Sequence, residues 1–416
     1  MVNATLVAHG RFITKDKDGY KDKKILYEPK VYKSSLDLIS YTNSQMFKTR
    51  NNNKSDKIAK LLERGLEEKV YPGAVLLVAQ RGEIIFFHAV GNRAVTPQIL
   101  PMERDTIFDL ASLTKPLATT LALMKLADEA LLDLDAPISS LIQPFPWKEK
   151  VDITSRLLLN HSAGLADWKP FYLSLTRLPL GKRKPAVRRL IMEEPLHQKP
   201  KTASLYSDIG FMILEWIVEI IADKDLSSFL ETHFYQPLGL KTLYLDNLAA
   251  NKVYTKELYA ATEDCPWRKE IIQGHVHDEN AYALGGYSGH AGLFGTALDT
   301  CTLANTLVNL YQGGGSALLT THTVRTFFSR QGLVPGSTWA LGWDTPSEKN
   351  SSSGNYFSPK SIGHTGFTGT SVWIDLEKNI VVILLTNRVH PTRKNEKIRN
   401  FRPELHNLIM QEFGYG

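Results

Sequence analysis

Apolar positions along this chain recur with two different periods, and the places where the period changes divide it. Ile58, Leu61, Leu62 and Leu66 fall at helical spacing and run into Tyr71-Pro72-Gly73, which predicts a helix followed by a stop. Strand patterning follows, with residues 74–79 and 83–90 flanking Arg81-Gly82 as a hairpin. From Ser112 to about residue 330 helical spacing dominates, as at 211–222. Strand patterning returns at 338–343, 370–375 and 380–386, with Glu377-Lys378-Asn379 as a turn, and a helix over 403–413 closes the chain. Strands at both ends with helices between them predict an α+β fold. It is a three-layer α/β/α sandwich with one antiparallel sheet assembled from both termini and a helical lobe inserted at about 120–330. A cleft between sheet and lobe is the expected ligand site.

Residues 1–52 show no regular pattern and read as an irregular extension ending in the polar linker Asn51-Asn52-Asn53-Lys54, so the folded domain is expected over 53–416. Charge singles out the same region. Residues 1–60 carry thirteen Lys/Arg against six Asp/Glu, which leaves the rest of the chain near −1 although the whole is +6. Such a leader could touch nucleic acid or anionic lipid, but we read it as a solvated extension with no nucleic-acid partner. Two cysteines give neither a disulfide framework nor a metal-ligand cluster. No apolar run approaches a membrane span, and the first residues lack the basic region of a secretory signal. The expected compartment is the cytoplasm, with periplasm or secretion as the alternative.

Chemistry enters at Ser112-Leu113-Thr114-Lys115, where a hydroxyl and an amine three residues apart share one helical face. Serine needs a base, and a partly desolvated lysine can supply one. The stretch 107–110 reads as an extended lead-in, Ser112 as the helix cap, and Pro116 as a first-turn residue that lacks an N–H. Tyr206-Ser207-Asp208 precedes the helical run at Phe211; two nearby ammonium groups would lower the phenol and let it move protons. His364-Thr365-Gly366 opens the strand pair at Thr370, and the Phe367 N–H could join that of Ser112 in an oxyanion hole.

These elements resemble the serine β-lactamase-like superfamily, in its class C branch with penicillin-binding proteins, esterases and D-aminopeptidases. The resemblance covers roughly 55–415 and includes the segment Leu158-Leu159-Asn160-His161-Ser162-Ala163-Gly164-Leu165. It implies a β-lactamase/transpeptidase-like fold, Ser112 as nucleophile, Lys115 as its base partner and Tyr206 as proton shuttle. His364 would stand where β-lactamases carry a lysine. A narrower resemblance rests on residues 262–268, 274–281, 289–294 and 386–393. It points to the cell-wall-recycling amidases and penicillin-binding-protein-like hydrolases, in which His277, Asp278 and His290 would line the cleft and bind substrate or else hold loops of the helical lobe; Asp208, Thr365 and Gly366 are the other candidates for substrate binding.

Two departures from that pattern carry chemical weight. Asp208 stands where class C enzymes have asparagine, and its charge would favour the ammonium form of Lys115. His364 replaces a lysine, offering a hydrogen bond more than a fixed charge, which suits a muropeptide amide, a D-amino-acid derivative or an ester. A metal at His275, His277 and Asp278 lacks a second set of ligands, so no metal or cofactor is expected. Lys182-Arg183-Lys184 with Arg188-Arg189 reads as a solvated junction or an attractor of acidic groups; Trp168, Phe171 and Tyr172 read as packing or as sugar-stacking rings. The expected function is an acyl-enzyme serine hydrolase acting on a small peptidoglycan-derived amide, a muramoyl-L-alanine or D-alanyl peptide. A carboxylesterase and a non-turnover penicillin-binding scaffold are the alternatives.

Overall fold

Six antiparallel strands form the central sheet, in the order Ile362–Thr365, Ser371–Asp375, Ile380–Thr386, Gly73–Gln80, Glu83–Ala94 and Leu100–Pro101. The computed structural model describes residues 8–16, 19–27, 52–143, 148–250 and 254–416. The sheet joins the two ends of the domain at its centre, where Ala74 pairs with Thr386 and Gln80 with Ile380. Gly73–Gln80 reads as a continuous apolar run because both of its faces are covered. Ala74, Leu76 and Val78 pack with Ile58, Leu62, Phe401, Leu405 and Ile409 from the helices Asn52–Glu67 and Ile398–Glu412. Val75, Leu77 and Ala79 face the helical lobe instead. The period-2 alternation of one strand thus feeds two cores, giving three layers. The Arg81-Gly82 turn has positive φ at both positions, 51° and 82°, as a two-residue hairpin requires.

The helical lobe is organised around Asp208–Ala222, a helix buried from Ile209 through Val218. Each fully buried Leu or Ile there is worth about 1.5–3 kcal/mol, which fixes the helix start firmly. The Ser207 side chain caps it, accepting from Gly210 N at 3.1 Å.

Several expectations need correction. Ala8–Asp16 and Gly19–Tyr27 pair as an antiparallel hairpin rather than an irregular leader, and Asp18-Gly19 was the sequence signal for it. Residues 1–7, 17–18 and 28–51 lie outside the described residues. Asn52 opens a helix and is not a linker residue. The segment 338–343 is a turn, since Ala340 N bonds Trp343 O at 2.9 Å and Gly342 has φ 75°. A Cβ on Gly342 would lie 1.9 Å from Thr120 Oγ1, so glycine lets the turn press against the segment that follows Lys115. The last helix begins at Ile398, with Pro403 inside it. Proline favours the first turn of a helix, which is why the pattern points to a start at 403, but here it lies in the second turn.

Candidate active site

Ser112 follows a strained turn. The strand Phe108–Asp109 pairs with Leu293–Gly295, and the chain then passes through Ala111 at φ 49°, a left-handed conformation unusual for alanine. Buried polar bonds hold that turn. Asp109 accepts from Ala111 N at 2.9 Å and from His277 N at 2.6 Å, and Thr114 Oγ1 donates to Ala111 O at 2.6 Å. Ser112 is not a helix cap. It lies within a single 3₁₀ turn, Ala111–Leu113, followed by a π-helical turn, Lys115–Thr120, and neither turn has a side-chain bond at its N-cap. The wide turn begins where Pro116 withholds its N–H, and such turns recur at functional positions.

Lys115 is fully buried and ringed by acceptors. Nζ donates to Ser112 Oγ at 3.1 Å and to the His290 carbonyl at 3.3 Å, and it pairs with Asp208 Oδ1 at 2.6 Å. Burial pulls the ammonium down, but the Asp208 charge and the bonds to Asp208 and Tyr206 more than offset this, so the net shift is upward. Nζ also lies 4.6 Å from the Tyr206 ring centre. Burial raises the Tyr206 phenol, and the charge of Lys115 with the bonds to Lys115 and Ser112 only partly reverses it. The expected lowering is therefore corrected. One ammonium group, not two, faces the phenol, and desolvation outweighs it.

His161 explains how Tyr206 is placed. Its Nδ1 accepts from Ser207 N at 3.1 Å, its carbonyl accepts from Leu205 N at 2.9 Å, and its ring packs 4.7 Å from that of Tyr206. His364 arrives from the opposite side on the strand Ile362–Thr365, 5.9 Å from the Tyr206 ring. Its Nδ1–H donates to Thr365 O at 2.9 Å, while Nε2 has no protein partner. Burial, and after it the Lys115 charge, pushes this imidazole down to about 3, so it is neutral. Gly366 lets that strand meet the nucleophile turn, for a Cβ there would lie 2.1 Å from Thr370 Oγ1 and 2.7 Å from Leu110 O.

Two cavities open on Ser112, Tyr206 and Phe367. One, of about 370 Å³, is lined by His364, Thr365 and Gly366 and also by Trp339, Asp344, Arg388, Arg399 and Arg402. Arg402 is buried without an ion-pair partner among the described residues; Nη2 donates to Thr370 O at 3.4 Å and Nε has no acceptor. Sequence reasoning missed this cationic wall. Arg399 and Arg402, three apart on one helix face, were the available signal. The other cavity, of about 310 Å³, is lined by Asp208, His277, Asp278, His290 and Trp168. Here His290 Nε2 donates to Asp278 at 3.0 Å, and His277 Nε2 donates to Glu263 at 3.1 Å. Burial lowers His290, but Asp278 and Asp208 outweigh it and the imidazole shifts upward, toward its charged form.

Asp208, Asp278 and His290 bring donor atoms within 4.8 Å of one another, a grouping different from the His275, His277 and Asp278 weighed in the sequence. Lys115 and the His290–Asp278 bond already compensate those carboxylates. The basic stretch on the helix Leu180–Glu193 lies outside both cavities. Lys184 pairs with Glu215 at 2.7 Å and with Glu219, and Arg188 pairs with Glu219. Phe171 is core, whereas Trp168 is exposed at the cleft.

Comparison with known proteins gives the family and the fold. The family model described as Beta-lactamase matches residues 58–405. The chain is 33% identical over 366 residues to an N-acetylmuramyl-L-alanine amidase of Bacillus subtilis, covering 80% of this chain and 81% of that protein. It is 32% identical over 355 residues to a putative D-alanyl-D-alanine carboxypeptidase of Salmonella gallinarum, covering 79% and 81%. Among solved structures, EstCE1, a hydrolase with promiscuous acyltransferase activity, superposes with a TM-score of 0.64 at 24% identity, over 84% of this chain and 98% of that one. No helix among the described residues is long and apolar enough to cross a membrane.

Proposed function

The chain belongs to the beta-lactamase family, as a serine hydrolase, and from that premise we propose that Ser112 cleaves an amide of peptidoglycan-derived material through an acyl-enzyme. The N-acetylmuramoyl–L-alanine bond is the preferred substrate. The observation that carries this reading is Lys115 Nζ, held between Ser112 Oγ at 3.1 Å and Asp208 Oδ1 at 2.6 Å. In the resting site Lys115 and Tyr206 both hold their protons, so neither is yet a base. As substrate displaces water, the Lys115–Asp208 pair passes one proton to the carboxylate, and the neutral amine then takes the Ser112 proton. Ser112 Oγ bonds to the carbonyl carbon while the N–H groups of Ser112 and Phe367 hold the oxyanion. Tyr206 delivers a proton to the departing nitrogen and is reprotonated from Lys115, so the proton taken from serine leaves with the amine. Water then enters and attacks the acyl carbon, its proton reaches Ser112 Oγ through Tyr206 and Lys115 as the acid leaves, and Asp208 returns its proton to Lys115 to restore the resting ion pair. Neutral His364 supplies a hydrogen bond at Nε2 and no charge.

A specific observation favours D-alanyl peptides as a second reading. In the wall beside His364, Arg388, Arg399 and Arg402 outnumber Asp344 and Glu396, the latter paired with Arg399 at 2.9 Å, and this surplus suits a substrate with a free carboxylate on its leaving side. Both readings imply a small-molecule substrate, and recycling of wall fragments in the cytoplasm is the setting they suggest. The test is mass spectrometry after reaction with an active-site-directed serine probe, joined to turnover assays on muramoyl-L-alanine, D-alanyl-D-alanine peptides and short acyl esters. A label on Ser112 with turnover of the muramoyl amide is expected. Turnover of esters alone makes the protein a carboxylesterase, and labelling without any turnover makes it a binding protein.

A further inference from the structure

Beyond the two cavities at Ser112 lies a third, of about 690 Å³, and it joins the acidic one through two shared residues, Glu279 and Arg393. Its walls are the half-buried rings of Tyr172 and Trp267, whose centres lie 4.8 Å apart at an interplanar angle of 69°. Trp168 continues this aromatic line toward Ser112, 6.4 Å from Tyr172. Arg393 pairs with Glu263 at 2.5 Å and with Glu279 at 2.7 Å, so an ion-paired cluster stands where the two cavities meet. Glu263 is tied up by His277 and Arg393, and bonds from both take it down to about 2 against the effect of burial. The remaining polar rim includes Asp264, Thr392 and Lys394.

We propose that this third cavity is a distal subsite for a neutral pyranose ring, the sugar on the acyl side of the scissile amide. The inference rests on the amidase reading above and deepens it. Aromatic walls suit the C–H faces of a sugar, and carboxylate and hydroxyl groups at the rim suit its hydroxyls. An acyl chain would strip water from the acidic rim without replacing its hydrogen bonds. An anionic peptide would meet Glu263, Asp264 and Glu279, and a cationic one would meet Arg393 and Lys394. The volume lies within the usual range for small-molecule sites. The cavity abuts the nucleophile's own cleft at Glu279 and Arg393, so a ligand lying across that junction would have ring and carbonyl bound in one piece, and binding energy at the ring would position the carbonyl.

The test compares Trp267→Ala and Tyr172→Ala with the unmodified protein by the ratio of kcat/KM for N-acetylmuramoyl-L-alanine to that for lactoyl-L-alanine, which lacks the sugar. The ratio is expected to fall about tenfold in each variant, mainly through KM, and to be largely restored in Trp267→Phe. An unchanged ratio overturns the subsite, as does an equal loss on both substrates. If the unmodified protein cleaves neither amide, the amidase reading fails, and the subsite is judged by competition alone. Methyl N-acetylmuramide should then inhibit hydrolysis of a short ester in the unmodified protein, with an inhibition constant about tenfold weaker in Trp267→Ala. No inhibition, or the same constant in both, overturns the subsite independently of the reaction.

Discussion

The carboxylate of Asp208 lies 2.6 Å from the buried ammonium of Lys115, and it is this pairing that keeps the lysine charged beside the Ser112 hydroxyl. Asp208→Asn removes the largest influence that raises Lys115 and leaves only Tyr206 to oppose the lowering by burial. The amine then frees itself at lower pH, so the acidic limb of the kcat/KM profile should move down by at least one pH unit. A limb that stays in place removes Asp208 from the proposed proton path.

Tyr206→Phe keeps the ring packed 4.7 Å from His161 while deleting the phenol. Loss of a group that moves protons in the transition state costs about 10²–10⁴-fold in kcat. Thermal unfolding should shift little by comparison. A kcat within threefold of the unmodified protein would leave Lys115 as the sole carrier.

Gly366→Ala tests the contact between strand and nucleophile turn. The added Cβ would lie 2.1 Å from Thr370 Oγ1 and 2.7 Å from the Leu110 carbonyl. Relieving it means moving the His364 strand away from Ser112. Overpacking of this kind costs about 1–3 kcal/mol of stability, and loss of kcat/KM should exceed what that accounts for. Urea denaturation beside steady-state kinetics measures both.

His406 is buried, its Nδ1 bonded to Ser352 O at 2.9 Å, and burial with the charge of Arg402 pushes it down to about 3. The unfolded chain takes up a proton near pH 6.5 that the folded chain refuses until about 3, so stability falls as pH drops through that window. The slope is about 1.4 kcal/mol per pH unit for each such histidine. His364 acts in the same direction. Asp109 and Asp344, raised by burial to about 6, bind protons earlier in the folded state and act in the opposite direction between that value and 3.8. His406→Gln should flatten the dependence of unfolding free energy on pH by about one proton between 6.5 and 3. A slope equal to that of the unmodified protein refutes this assignment.

How much of this was legible beforehand depended on whether a signal was local. Ser112 and Lys115 are three apart, and helical geometry alone puts their side chains together. The strand 74–79 and the buried helix after Tyr206 were equally readable, because each carries its own period. Trp339 was hidden by reading 338–343 as a strand, although Gly342 marks a turn there. Arg388 gave no signal, since a lone arginine looks the same whether solvated or facing a cavity, and only the i, i+3 spacing of Arg399 and Arg402 offered one. The Asp208–Asp278–His290 grouping joins parts of the chain seventy residues and more apart, which no period connects. The N-terminal hairpin was missed because lysine and aspartate density drew attention away from Asp18-Gly19.

The pairing of Gly73–Gln80 with Ile380–Thr386 has a consequence for how the chain is made. A ribosome must deliver some three hundred residues before the strand that completes the middle of the sheet emerges. Until then the apolar residues from Ala74 to Ala79 have one hydrogen-bonding edge and much of their surface without a native partner. Closing so large a loop is slow, and exposed edges of this kind invite association between incomplete chains. Shortening the chain before Thr386 should therefore yield aggregates held by chaperones, not a smaller working enzyme.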